Sequence, residues 1–337
     1  MNLSSSLVSL SLAFTRLQGN LSSDILSLPN LQKLDLLGNG DLSGQLPKSN
    51  WSTPLRYLDL SLITVSGEIP NSIGHLKFLT QLQLMKCKFD GLVPLSLWNL
   101  TQLTHLDLSL NKLKGEISSL FSNLVYLTDL DLQQNNFTGL IPNVFHNLPQ
   151  LSYLDSSFNK LVGPIPIETG KLTKLSIVGL NSNMLNGTIP HWCFSLSSLL
   201  VLHLRDNQLT GSIGELKSYS LQYLLLSNNN LQGHFPKSIF ELQNLTYLTL
   251  SSTNLSGVVD FHQFSKLKNL QFLNLSHNSF LSINNDSSAN SIFPSLESFY
   301  LSSTNINSFP KFLAQRSDMA LITTFMGKFR NGFIRKS

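Results

Sequence analysis

The strongest constraint on the fold of this chain is an internal repeat of about 24 residues. Residues 103–117 and 127–142 are neighbouring copies that fit the pattern LxxLxLxxNxLxGxI, with Phe137 at one leucine position. A unit this short cannot bury its apolar side chains alone, so repeated copies predict a solenoid in which each turn packs on the next. The Asn slot recurs at steps of 24 residues eight times, then 22, 24, 25 and 26, and is occupied by Thr15, Asn39, Ile63, Cys87, Asn111, Asn135, Asn159, Asn183, Asn207, Asn229, Thr253, Asn278 and Thr304.

Each slot of the repeat has a physical role. In LxL the leucines alternate with outward-facing residues, which predicts one short strand per turn and a parallel sheet along the concave side. Asn in the following turn can bond both a backbone N–H and a C=O, so it predicts a hydrogen-bond ladder between turns. The Gly of LxG suits a backbone with positive φ. Ile63 has no polar group for the ladder, and we expect a local weakness there.

Composition follows from the repeat and excludes several classes. Leucine accounts for 71 of 337 residues, whereas only 12% are charged. The apolar content excludes a disordered chain, and two cysteines exclude a disulfide-built fold. No window approaches the roughly 18 apolar residues of a membrane span. The net charge of +4 comes from residues 311–337, which sum to +5, so the basic character is confined to a tail and nucleic-acid binding is not expected.

The repeat also predicts the domain organisation. Residues 1–310 form thirteen repeats without an N-terminal cap, and residues 311–337 form a basic non-repeat tail or a degraded repeat. The apolar residues near the start lie in repeat register, which favours a first repeat over a signal peptide.

The unit with LxGxIP, seen at residues 137–142, resembles the plant-specific class of extracellular leucine-rich repeats over residues 7 to about 310. Residues 281–286 and 302–313 are similar to plant disease-resistance receptor-like proteins. The resemblance implies an α/β solenoid, a right-handed superhelix with a parallel concave sheet. It implies an ectodomain fragment of an immune or developmental receptor at the outer side of the plasma membrane, with a peptide, protein or glycan ligand and a co-receptor kinase. A kinase domain would belong to a longer parent chain.

Two alternatives stay open at this point. Polygalacturonase-inhibiting proteins use the same repeat class in secreted form, although they would require a capped chain of about ten repeats. The chain could also be a nonfunctional truncated receptor fragment. The sequence contains none of the HExxH, GxSxG, Walker A or kinase signatures, so we expect no catalytic residue, no metal site and no cofactor.

The residue directly before the LxL motif of each strand predicts a binding stripe. From the seventh strand to the twelfth it holds only aromatic or aliphatic side chains, over roughly 25 Å at about 4.8 Å per strand. Exposed apolar patches with aromatic anchors mark partner sites. The alternative is that this slot of the repeat tolerates Tyr without a binding role. With two neighbours of the stripe included, the expected contact residues are Tyr153, Ile177, Val201, His203, Arg205, Tyr223, Tyr247 and Phe272.

The slot between the leucines carries a column of acidic residues in the first half of the chain. Asp35, Asp59, Asp107, Asp131 and Asp155 share it, so a cationic ligand could be favoured there, but LDLS is also ordinary repeat consensus. His105 would lie beside these carboxylates on an open surface. We interpret that group as a solvated coincidence, because nothing there would exclude water.

The two cysteines and the N-glycosylation sequons each lead to a prediction. Cys87 and Cys193 lie four repeats apart, roughly 19 Å at 4.8 Å per strand, so we predict buried thiols and no disulfide between them. Ten NxS/T sequons occur. Four fall on convex or turn segments and are the candidates for glycosylation: Asn99, Asn136, Asn186 and Asn244.

Overall fold

The structure is a computed structural model that describes residues 6–49, 51–144, 147–167, 172–284 and 295–306. Within these residues, thirteen strands pair in parallel and in chain order to form one sheet, here called the concave sheet. The LxL slots therefore form strands as predicted. The strands are β1 (Ser9–Ser11), β3 (Lys33–Asp35), β5 (Tyr57–Asp59), β7 (Gln81–Gln83), β9 (His105–Asp107), β11 (Asp129–Asp131), β13 (Tyr153–Asp155), β15 (Ile177–Gly179), β17 (Val201–His203), β19 (Tyr223–Leu225), β21 (Tyr247–Thr249), β23 (Phe272–Asn274) and β25 (Ser298–Tyr300).

A second set of short parallel strands follows the turns, one after each concave strand, and we call these the lateral strands. The first six form one sheet, the next two pair with each other, and the last five form a third group. They are β2 (Gly19–Asn20), β4 (Leu42–Gly44), β6 (Thr64–Glu68), β8 (Lys88–Leu92), β10 (Lys112–Glu116), β12 (Asn136–Thr138), β14 (Val162–Pro164), β16 (Met184–Asn186), β18 (Thr210–Gly211), β20 (Asn230–His234), β22 (Asn254–Asp260), β24 (Leu281–Asn284) and β26 (Asn305–Ile306).

The convex side consists largely of single helical turns. Six 3-10 helices lie among the described residues: Ser23–Ser27, Asn71–His75, Leu95–Asn99, Ser119–Asn123, Lys237–Glu241 and Phe261–Lys266. The one α-helix described there is Trp192–Ser195. The solenoid class is confirmed, and its helical part is mostly 3-10 rather than α. In the described residues no helix is long and apolar enough to cross a membrane.

The core runs the length of the solenoid between the concave sheet and the convex side. Leucines of the LxL slots, such as Leu106 and Leu108, are fully buried. Each contributes roughly 1.5–3 kcal/mol relative to an exposed side chain. Because each leucine lies next to the leucine at the same repeat position of the next turn, these side chains are buried only when the turns stack.

The predicted Asn ladder is present. Asn111 Nδ2 donates to the carbonyl of Leu84 in the preceding turn at 2.7 Å and to that of Leu108 in its own turn at 3.1 Å. Its Oδ1 accepts from the N–H of Phe89 at 3.1 Å. The inter-turn bond recurs at Asn135, Asn159, Asn183, Asn207, Asn229 and Asn278. The ladder thus satisfies polar backbone groups that would otherwise be unpaired in the core.

Five of the thirteen ladder slots hold no Asn, and two of these, Ile63 and Cys87, have neither an amide nor a hydroxyl group. Ile63 is buried and has no group to bond, as the sequence predicted, so its turn lacks the amide link. In the next turn Cys87 takes over the inter-turn bond, because its Sγ donates to the carbonyl of Leu60 at 3.0 Å. Cys87 and Cys193 are both free and buried, which confirms the prediction for the thiols.

A second ladder at the start of the concave strands was not predicted. Thr104 Oγ1 donates to the carbonyl of Thr80 at 3.0 Å, and Thr128 Oγ1 donates to that of Thr104 at 2.9 Å. Ser152 and Ser176 continue the series. These hydroxyl groups add an inter-turn bond on the outer side of the sheet.

Backbone geometry shows a further regularity. The predicted positive φ of the LxG glycine is confirmed, for example at Gly115 with φ 84°. The residue just before the ladder slot also has positive φ, although it is often not Gly. Leu110 and Phe158, with φ 58° and 54°, are examples. This conformation is uncommon for such side chains, so the stacked turns must impose it.

Candidate ligand-binding face

Aromatic side chains on neighbouring concave strands stack into an aromatic ladder, formed by Tyr223, Tyr247, Phe272 and Tyr300. The rings of Tyr223 and Tyr247 lie 5.0 Å apart and 14° from parallel, and those of Tyr247 and Phe272 lie 5.5 Å apart and 12° from parallel. Tyr300 continues the series, tilted by 40° at 5.4 Å from Phe272. Strands in register cause this stacking, since Tyr223 faces Tyr247 and Tyr247 faces Phe272.

Stacking determines what the ladder offers to a partner. Each ring covers the face of the next, and the four side chains are half-buried. The ring edges and the tyrosine hydroxyls therefore form the outward surface. An aromatic edge carries partial positive charge, so this surface suits apolar groups and carbonyl oxygens.

Tyr300 was missed by the sequence reasoning. It occupies the middle position of the LxL motif, in register with Asn274. Phe272 instead lies directly before the LxL motif of its strand. The ring reaches across to Phe272 from the neighbouring column. The sequence places Tyr300 in the same slot as the acidic column, and this assignment does not show that the ring crosses to Phe272.

The other predicted contact residues do not all join the ladder. Ile177 is half-buried at the start of β15, in register with Val201 and two strands away from Tyr223. Val201 is buried at 6% exposure, which corrects the expectation that it is exposed. Its short side chain lies between Ile177 and Tyr223 on the flanking strands, and these larger side chains rise above it.

Tyr153 is directed toward the acidic column. Its hydroxyl lies 3.4 Å from Asp131 Oδ2 and 3.5 Å from Asp155 Oδ2. The structure thus separates Tyr153 from the aromatic ladder, with β15 and β17 in between.

A charged group borders the ladder at β17. Arg205 is exposed, and its Nε lies 3.1 Å from Asp206 Oδ2. The His203 side chain is half-buried. Its burial is the main cause that lowers the pKa of His203 to about 4, the Arg205 charge adds to the shift, and the Asp206 charge opposes it. His203 is therefore neutral near pH 7, and Arg205 is the cation that a ligand would meet here.

The acidic column has a structural role. Asp59, Asp131 and Asp155 are buried. In each, Oδ1 accepts the backbone N–H two residues later, at 2.8 Å from Ser61, 3.1 Å from Gln133 and 2.8 Å from Ser157. The carboxylates therefore cap the ends of their strands, which explains LDLS as a repeat feature.

His105 contacts Asp129 and Thr104. Its Nε2 lies 3.2 Å from Asp129 Oδ2, and its Nδ1 lies 2.8 Å from Thr104 Oγ1. Both side chains are partly exposed. Across the described ranges, no group of His, Cys, Asp and Glu could hold a metal ion.

The sequons differ in their surroundings. Asn99 is exposed at the end of the 3-10 helix Leu95–Asn99, and Asn186 is exposed at the end of β16. Asn136 is half-buried at the start of β12. Asn244 is exposed, but its Nδ2 donates to the carbonyl of Tyr219 at 3.0 Å.

Comparison with known proteins decides the family. The family model described as "Leucine-rich repeat region" matches residues 9–317. The chain belongs to the leucine-rich-repeat family. The matched residues include all thirteen strands of the concave sheet.

Individual relatives are plant receptors. Receptor-like protein 6 of Arabidopsis thaliana is 40% identical over 79 residues, which cover 23% of this chain and 8% of the relative. The plant peptide hormone receptor RGFR1 in complex with RGF2 superimposes with a TM-score of 0.83 at 32% identity, over 90% of this chain and 49% of the receptor chain. The Arabidopsis receptor kinase HAESA, in complex with the peptide hormone IDA and the co-receptor SERK1, gives a TM-score of 0.80 at 35% identity, over 89% and 50%.

This leucine-rich-repeat chain spans about half the length of the solved receptor chains and a small part of the curated relative. Similarity of fold and of sequence is therefore shown for the repeat region. The family match indicates no enzymatic family.

Proposed function

We propose that this chain is part of the ectodomain of a plant cell-surface receptor and recognises an extracellular ligand through its concave sheet. The aromatic ladder is the observation that supports this most directly, because the stacked rings present a continuous surface of ring edges and hydroxyls on the concave sheet. RGFR1 and HAESA, which the chain resembles, are complexes with peptide hormones. The parent protein would lie at the plasma membrane, with this region outside the cell.

The ligand that best fits the ladder is a peptide or a protein segment. A sugar that stacks on an aromatic ring needs an exposed ring face, and these faces cover one another. Ring edges and hydroxyls instead suit apolar side chains and backbone carbonyls. We assign the contacts to Ile177, His203, Arg205 and the four rings of the aromatic ladder, with Val201 as buried support and Tyr153 at the margin.

The remaining features fit a binding module. A co-receptor kinase is the expected second partner, by analogy with SERK1 in the HAESA complex. The chain acts without catalysis, cofactor or metal. The repeats extend over residues 1–310, and residues 311–337, which lie outside the described residues, are a basic tail or a degraded repeat.

Site-specific crosslinking tests this function. The secreted chain carries benzoylphenylalanine at position 247 in one variant and at position 126 in another, since Tyr126 is exposed and lies outside the ladder. We expect position 247 to capture peptides from a plant extracellular fraction that position 126 does not. Each captured peptide is then synthesised and its binding measured by calorimetry.

The matched substitutions decide the outcome. Replacing Tyr223 and Tyr247 by Ser should weaken binding of the captured peptide at least tenfold, about 1.4 kcal/mol, whereas Tyr126→Ser should leave it unchanged. Circular dichroism checks that both variants fold. Equal binding by all three chains would show that the aromatic ladder is structural.

A further inference from the structure

Three carboxylates occupy the same slot on adjacent strands in the middle of the concave sheet. Asp131 on β11 faces Asp107 on β9 and Asp155 on β13 in the strand register. Parallel strands are about 4.8 Å apart, and Asp131 and Asp155 are both buried. Like charges at this spacing, away from water, strongly disfavour ionisation of all three groups.

No cation lies at ion-pair distance from the two buried carboxylates, Asp131 and Asp155, in the described part of the chain. The titratable groups that face Asp131 are His105 and Asp107 on β9, Asp129 on its own strand, and Tyr153 and Asp155 on β13. His105 is directed to Asp129, with Nε2 at 3.2 Å. Beyond Asp155, the same slot on β15 is Gly179, which carries no side chain. Among the described residues, neither Asp131 nor Asp155 has a Lys, Arg or His partner at ion-pair distance.

Hydrogen bonding leaves room for one more proton. Gln133 donates from its backbone N and from Nε2 to the two oxygens of Asp131, at 3.1 and 3.0 Å. The hydroxyl of Tyr153 lies between Asp131 Oδ2 and Asp155 Oδ2, and its single proton can serve only one of them. A proton on one of these carboxyl groups would provide the hydrogen bond that Tyr153 cannot make to both of them. It would also remove one of the three negative charges.

We propose that Asp131 and Asp155, beside the charge of Asp107, share a proton at mildly acidic pH and release it as the pH rises, which makes the centre of the concave sheet a proton-sensitive latch. With the proton in place, β9, β11 and β13 are held together. When it leaves, mutual repulsion loosens these three turns relative to the rest of the solenoid.

The direction of the pH effect on stability follows from the linkage between proton binding and folding. Burial first, and then the neighbouring charges of Asp107 and Asp155, raise the pKa of Asp131 to about 7, against the bonds from Gln133. A raised pKa means that the folded state binds the proton more tightly than the unfolded state, where Asp titrates near 3.9. The stabilisation is complete below about pH 4 and is lost progressively as the pH rises to about 7.

Hydrogen exchange of the whole chain measures the latch directly. After correction for the intrinsic pH dependence of exchange, we expect the opening constant of peptides within residues 105–157 to rise about tenfold between pH 6 and pH 8.5. Peptides covering β19, β21 and β23 should change less. Asp131→Asn, which cannot ionise, should abolish the rise.

The control is Asp35→Asn, in the same slot of the sheet. Asp35 Oδ2 accepts from the Ser11 hydroxyl at 2.9 Å and lies 3.9 Å from Lys33 Nζ, so a cation is already present. This variant should keep the full rise. Equal protection of the wild-type chain at the two pH values, or a rise that persists in Asp131→Asn, would overturn the latch.

Infrared spectroscopy gives a second readout on the unmodified chain, in case Asp131→Asn does not fold. The carbonyl stretch of a protonated carboxylic acid should be visible at pH 6 and absent at pH 8.5. Its absence at pH 6 would overturn the proposal without any substitution.

Discussion

The rings of Tyr247 and Phe272 lie 5.5 Å apart and almost parallel, on strands that the chain visits one full turn apart. Their side chains meet because β21 and β23 pair in register, with Tyr247 facing Phe272. The same pairing brings Tyr223 to the other face of Tyr247. A surface of continuous aromatic edges therefore depends on the regularity of the repeat and on the residue type at one slot.

Coupling between neighbouring rings is the first prediction. A double-mutant cycle with Tyr223→Ala and Tyr247→Ala should give an interaction energy of about 0.5–1.5 kcal/mol, the range for aromatic pairs beyond their burial. The free energy of unfolding is measured by urea titration of both single variants and the double variant. The cycle Tyr223→Ala with Tyr57→Ala, whose strands are far apart, should show additive effects.

The turn at Gly38 offers a sharp steric test. Gly38 has φ +75°, and a Cβ built on it would lie 2.3 Å from the Phe14 ring. Gly38→Ala should therefore destabilise the first turns by about 1 kcal/mol, mainly from backbone strain, because the exposed Phe14 ring can turn aside. Gly40→Ala is the control, since its Cβ would meet nothing within 4 Å. Thermal unfolding of the two variants should differ; equal midpoints would contradict the expected clash.

Replacing one Asn of the Asn ladder should lower the free energy of unfolding. Asn135 Oδ1 accepts from the N–H of Leu113 at 3.0 Å, and its Nδ2 donates to the carbonyl of Leu108 at 2.9 Å, all in the core. Asn135→Ala leaves these groups unpaired, and each costs about 1–3 kcal/mol. Asn136→Ala, one residue further and outside the ladder, should cost well under 1 kcal/mol. Urea unfolding of the unglycosylated chains provides the comparison, and similar losses would argue against the ladder as a source of stability.

Much of this fold could be predicted because it follows from two periods. The repeat of 24 residues placed the strands, and the alternation within LxL placed the leucines inside, so Leu106 and the Asn ladder were both anticipated. The positive φ at Phe158 was not, since side chains in that slot vary and only stacked turns impose the conformation. The Thr104 ladder was missed because Thr and Ser at a strand start are also ordinary surface residues.

The candidate site was less predictable, because exposure depends on neighbours across strands. Val201 occupies an outward slot but is buried by larger residues on both sides. Tyr300 occupies a different column, and only the direction of its side chain brings it to Phe272. Tyr153 turns toward Asp131, although its slot is the same as that of Tyr223. The position in the repeat determines where the Cα atom lies, whereas packing and hydrogen bonds determine the direction of the side chain.

The pH response of His203 should oppose that of Asp131. Burial lowers the pKa of His203 to about 4, so the folded state disfavours the charged ring. This group contributes stability above the unfolded value near 6.5, and the contribution is lost as the pH falls toward 4, by about 3 kcal/mol in total. The ring proton signals of His203 in NMR should titrate near pH 4, and His203→Gln should reduce acid destabilisation between pH 6.5 and 4. Titration of His203 near pH 6.5 would show that its ring is well solvated.

Glycosylation is expected to follow exposure. On expression through a plant secretory pathway, Asn99 and Asn186 should carry N-glycans, because both side chains are exposed and point away from the concave sheet. Asn274, whose Oδ1 accepts from the N–H of Ser276 at 3.0 Å, lies on the concave sheet two residues after Phe272. A glycan at Asn274 would stand beside the aromatic ladder, so this sequon should stay unmodified in chains that bind ligand. Enzymatic glycan release in heavy-oxygen water, followed by peptide mass spectrometry, marks each occupied Asn. Modification of Asn274 without modification of Asn99 and Asn186 would mean that the concave face is shielded, and that ligand contacts lie elsewhere.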